Sequence, residues 1–166
     1  MSFVKNLWII FILCCQLCFT QSYASTVAPS GKTTVSATLG KMKADVIFRT
    51  STVQISDTEE KNRRFVQCTY SKIPCSLTER IRLFLDGNEV FIPRSAYSDL
   101  GDVSTAKFTM SHGKMMLTIK GGDASESYIA VFLFDKSGLL ERRFYSGEDT
   151  EHPLEISHYF KIGTTD

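Results

Sequence analysis

Two cysteines carry the best-defined chemistry in this sequence. Cys68 and Cys75 are spaced C-x6-C, whereas Cys14, Cys15 and Cys18 lie in an apolar run near the N-terminus. Ser71 and Pro74 allow the chain between the pair to turn back, so in an oxidising compartment a disulfide is expected. Closing so short a loop stabilises a fold by about 2–3 kcal/mol. Two free thiols or a redox-active pair are the alternatives, but the redox motif has two residues between its cysteines.

The other reactive side chains form no recognisable constellation. A zinc site needs three or four converging ligands, and His112, His152 and His158 have no such spacing. A Ser/His/Asp triad needs a nucleophile beside a base, and no G-x-S-x-G elbow exists. Asp99, Asp102, Asp123 and Glu126 are the acids that could pair for hydrolysis, yet each falls in an expected loop. A small hydrolase built from these acids and a histidine is therefore the alternative reading, and the expectation is no metal and no cofactor.

Two segments stand out as contact surfaces. In Gly121-Gly-Asp-Ala-Ser-Glu-Ser-Tyr128, glycines expose the backbone, and Asp123, Ser125, Glu126 and Tyr128 crowd polar groups together. No Lys and helix follow, as a phosphate loop requires, and the acids are too few for a calcium loop. The plainer reading is a wide turn with solvated side chains. In Pro93–Asp102, Arg94, Tyr97 and Asp99 are candidate anchors, unless the segment is a short plug with Tyr97 and Leu100 in the core. Arg142, Arg143 and Tyr145 read most simply as a solvated strand face.

The elements that must hold these residues are short strands. Ala44, Val46 and Phe48 alternate with Asp45, Ile47 and Arg49, and Val53 and Ile55 continue the period. Asp57–Asn62 reads as a loop and Arg63–Tyr70 as a strand. Ile81–Leu85 and Val90–Ile92 flank Asp86-Gly87-Asn88, a hairpin signal. Residues 95–100 form a short helix capped by Ser95 and stopped by Gly101. Ala106–Met110 and Met115–Ile119 flank a second turn. Tyr128–Phe134 is apolar on both faces and reads as a central strand covered on two sides. Leu139–Tyr145 and Ile156–Ile162 follow. The fold class is all-β: an antiparallel sandwich or small barrel built from hairpins. Periodicity alone leaves sandwich and barrel open.

Residues 1–24 read as a cleaved signal peptide. Lys5 precedes the apolar run Leu7–Phe19, and Ser22-Tyr23-Ala24 is a small-x-small site. The run is shorter than the roughly 20 residues a spanning helix needs. Residues 25–34 are small and polar and read as a flexible tail; residues 35–162 form one β domain. The chain has 19 Lys and Arg against 18 Asp and Glu. Losing Lys5 balances them, so no broad field draws nucleic acid or an anionic membrane. None of Asn6, Asn62 and Asn88 lies in a glycosylation sequon, which favours a periplasm over a eukaryotic secretory route. The resulting expectation is a periplasmic or secreted, non-enzymatic interaction module: an inhibitor, an immunity-type partner or an envelope accessory protein. Its partner would be another envelope protein, and no stable membrane insertion would remain after cleavage. A carrier holding an apolar ligand among Phe108, Met115, Phe132 and Phe144 is a further alternative.

Overall fold

A computed structural model describes residues 24–54, 68–69 and 74–160. The expected signal peptide up to Tyr23, the loop at Asp57–Asn62, most of the strand at Arg63–Tyr70 and the end of the last strand at Ile162 lie outside these residues. Among the described residues no helix is long and apolar enough to cross a membrane.

Alternating apolar residues separated by turn-forming residues give ten strands among the described residues. β2 (Gly31–Leu39), β3 (Met42–Val53), β4 (Cys75–Leu85) and β5 (Asn88–Val90) form a four-stranded antiparallel sheet in that order. β6 (Val103–Ser111), β7 (Lys114–Gly121), β8 (Tyr128–Asp135), β9 (Gly138–Ser146) and β10 (Glu155–His158) form the other sheet. There β1 (Ser25–Thr26) is added beside β6. The architecture is a sandwich of two meanders. The expected hairpin is present: Asp86 and Gly87 both take positive φ, 50° and 83°, and Leu85 pairs with Asn88. A two-residue loop of this kind matches the right-handed twist of its strands. His112 and Gly113 turn β6 into β7 in the same way, with φ of 50° and 75°.

One core lies between the sheets. Val46, Phe48 and Leu83 meet Phe108, Leu117, Phe132 and Phe134, all buried. Burying each such side chain contributes about 1.5–3 kcal/mol before chain entropy is counted. Phe108, Met115 and Phe132 belong to this packed interior.

Four sequence expectations change. Residues 25–34 are not a loose tail: Ser25 and Thr26 pair with Ala106 and Thr105, and Gly31 onward pairs with β3. Val27 is buried in the core, which fixes the crossing between sheets. The short helix is a single 3₁₀ turn, Arg94–Ala96, following Pro93. Ser95 lies inside it rather than capping it, and Gly101 forms a bridge with Leu77. The plug reading of this segment fits, because Ala96, Tyr97 and Leu100 are buried. Cys68 and Thr69 stand outside any strand. Finally, β8 is covered on one face only. Tyr128, Ala130, Phe132 and Phe134 point inward, whereas Ile129, Val131 and Leu133 on the outer face remain half-exposed.

Candidate functional site

Cys68 and Cys75 are joined in a disulfide, and beside it lies a buried carboxylate. Asp102 is fully buried. Its Oδ1 accepts the Ser76 N–H at 2.8 Å, and its Oδ2 accepts the Thr69 N–H at 3.2 Å. The Asp102 N–H donates to the Ser76 carbonyl at 2.6 Å. The acid thus ties the crossover before β6 to both the disulfide segment and the start of β4. Its φ is +48°, a conformation that Asp tolerates through local hydrogen bonding. Burial and one backbone donor on each oxygen make this a structural carboxylate, not a solvated loop acid.

A second polar cluster seals the flank between the sheets. Arg142 lies on the inner face of β9 at 2% exposure, so the expectation of a solvated face at Arg142 is overturned. A bulge causes this: Leu133 pairs with Glu141 and Phe134 with Leu139, leaving Leu140 extra. One extra residue reverses the in–out alternation downstream. Arg142 therefore turns inward and Arg143 outward. Arg142 pairs with Asp99, and with Glu155 at 3.0 Å, and stands 5.0 Å from the Phe144 ring centroid. Its Nε is buried without a hydrogen-bond partner. The Ser157 hydroxyl foremost holds the Glu155 carboxyl below its usual range; burial opposes it, and the charge and hydrogen bond of Arg142 lower it further. Tyr128 stacks on Phe144 with centroids 5.2 Å apart and donates its O–H to the Gly101 carbonyl at 2.7 Å. Burial foremost, then the charges of Asp99 and Asp102, push the Tyr128 hydroxyl far above its ordinary value.

The residues singled out in the sequence therefore separate. Asp99 and Tyr128 come together around Arg142, within the cluster that closes the flank. Tyr97 is core, and Arg94 is exposed at the start of the 3₁₀ turn. Asp123 caps the next turn by accepting the Ala124 N–H at 2.8 Å. Ser125 and Glu126 are exposed on that loop. The loop shares one end of the sandwich with residues 147–153, because the Gly147 N–H donates to the Ser127 carbonyl at 2.7 Å. That neighbouring loop is organised by Asp149, which accepts the N–H groups of Glu151 and His152. Among the described residues, no three His, Cys, Asp or Glu side chains are placed to hold a metal. His112 lies in its turn, and His158 faces Glu141 across 3.4 Å.

What sequence reasoning missed is the outer face of the six-stranded sheet. Met116, Ile129, Val131 and Leu133 floor an open trough of about 520 Å³. His112 and Lys114 stand at one end, and Arg143 and Tyr145 along one side. Arg143 is held by Glu141. A second depression of about 530 Å³ lies at the flank between β5 and β10, beside Phe91 and Phe160, the two most exposed large apolar side chains described. The signal was present in Tyr128–Phe134: a strand apolar on both faces implies a cover, and only one face has one. Comparison with known protein families, with curated proteins and with solved structures gives no match to this chain.

Proposed function

We propose that this chain is an exported, non-enzymatic interaction module that docks an envelope protein on the outer face of its six-stranded sheet. The observation that carries the reading is the partly exposed apolar floor formed by Met116, Ile129, Val131 and Leu133 on the outer face of the sheet. Large exposed apolar patches rimmed by polar residues mark interaction sites. His112, Lys114 and Arg143 at the rim suit a partner presenting an apolar ridge flanked by acidic residues. The acids that a hydrolase would need support this reading by their other engagements: Asp102 with backbone donors, Asp99 with Arg142, Asp123 with its turn. The Cys68–Cys75 disulfide accords with folding in an oxidising space.

The experiment places a photo-crosslinking residue at Val131 in exporting cells, with Thr34 on the outer face of the other sheet as control. Protein adducts at Val131 and none at Thr34 are expected. Equal labelling at both positions, or none at Val131, would overturn the reading. Sequencing of the exported form is expected to begin at Ser25; an intact Met1 would remove the export argument.

A further inference from the structure

We propose that the chain pairs with a second copy of itself along β10, joining two six-stranded sheets across a two-fold axis. This interface lies at the edge of the sheet and does not depend on the trough being a docking site. β10 closes the six-stranded sheet and pairs only with β9 among the described residues. The Tyr159 N–H donates to the Leu140 carbonyl at 2.9 Å. Alternation along an antiparallel ladder then directs the backbone groups of Glu155 and Ser157 to β9 and those of Ile156 and His158 to the open side.

The other sheet edges are blunted. β1 has two residues and β5 has three, the latter followed closely by Pro93. β2 lies against β6 of the opposite sheet. β10 contains no Pro and no Lys, and although it is short at four residues and follows Pro153, it is longer than β1 and β5 and no other strand lies across it among the described residues. Its two polar long side chains are already engaged, Glu155 by Arg142 and His158 by Glu141.

The outward face of this edge is also self-complementary. By alternation Ile156 and Phe160 lie on it, 49% and 89% exposed, and Leu154, 71% exposed, precedes the strand with its N–H donating to the Phe144 carbonyl at 2.7 Å. A two-fold axis perpendicular to the sheet and passing beside Ser157 keeps outer faces on the same side. It sets Ile156 opposite His158 of the second copy, and Leu154 opposite Phe160 of the second copy. Directly opposed residues in an antiparallel pair share a face and touch, so each exposed apolar residue gains a cover. The same register hydrogen-bonds the open groups of Ile156 and His158 in both copies, as an isologous interface requires.

Sedimentation over a range of concentrations, on the chain as recovered after export, tests this. The wild type is expected to pass from monomer to a species of twice the mass. Ile156→Lys places a charge on the pairing face and is expected to stay monomeric with its thermal melt unchanged. Phe160→Ser, outside the strand, provides a second variant with the same expected loss. Ser157→Cys sits on the axis, where opposed Cα atoms of a non-hydrogen-bonded pair are about 4.5 Å apart. It is expected to form a disulfide-linked dimer on mild oxidation, whereas Thr38→Cys on β2 does not. A wild type that stays monomeric, a dimer that survives both edge variants, or equal cross-linking at Thr38→Cys would overturn the proposal.

Discussion

Replacing Asp102 by Asn tests whether the buried carboxylate fastens the disulfide segment to the sandwich. The substitution preserves volume, and Asn tolerates the left-handed backbone that Asp102 adopts at φ +48°. The charge and one acceptor oxygen are what change. Asp102 accepts two backbone N–H groups, from Ser76 at 2.8 Å and Thr69 at 3.2 Å. Asn retains one acceptor oxygen and presents an N–H₂ to the second donor. Losing one charge-assisted bond removes about 1.5–3 kcal/mol, and the orphaned buried N–H adds a penalty of about 1–3 kcal/mol. Relief from burying a charge offsets part of this. The expected net loss is about 2–4 kcal/mol, a fall in Tm of roughly 6–12 °C for a domain of this size. Urea and thermal unfolding followed by circular dichroism measure it. The Thr69 donor is held in place by the Cys68–Cys75 bridge. In a Cys68→Ser/Cys75→Ser background the same substitution should therefore cost about half as much, a coupling that a double-mutant cycle reads directly. A loss under about 0.5 kcal/mol, or strict additivity with the cysteine changes, would refute the reasoning.

Three further outcomes follow from the geometry. Gly121→Ala would put a Cβ 2.3 Å from the Tyr128 hydroxyl oxygen. That ring is held by Phe144 and the Gly101 carbonyl, so a loss of about 1–3 kcal/mol is expected in denaturant melts. Arg142→Met keeps the stem that packs near Phe144 and frees Asp99 and Glu155, which are exposed enough to rehydrate. Stability should fall by about 1–3 kcal/mol, whereas Arg143→Met on the outer face should stay within about 0.5 kcal/mol. Glu155 has a depressed folded pKa, so its contribution is full above the ordinary Glu value of about 4.3 and disappears as pH falls through the lower folded value. The wild type should thus lose its thermal advantage over Glu155→Gln as pH drops below about 4. An advantage that grew on acidification would contradict the pairing.

The flank cluster was only partly legible in the sequence. Asp99 and Tyr128 belong to the two segments that stand out in the sequence, and both line it. Arg142 reads as solvated in the sequence because alternation along Leu139–Tyr145 contains no sign of where the period slips. Leu140 is as apolar as Leu139, and only pairing against Phe134 and Leu133 decides which becomes the bulge. Asp102 reads as a loop acid because it falls in an expected loop, where solvated carboxylates are the default. Its burial depends on Thr69 and Ser76 arriving from parts of the chain 33 and 26 residues away.

The sequence by itself determined the β class, the hairpin at Asp86-Gly87, the turn at His112-Gly113 and the composition of the core strands. These rest on local rules: positive φ at a two-residue turn and a side-chain period of two. Tertiary structure decided which face of each strand was covered, which arginine went inside, and how residues 25–34 were divided between two sheets. Those outcomes depend on strand register and on the stacking of one sheet against the other. Both couple residues too far apart in the chain for local periodicity to report.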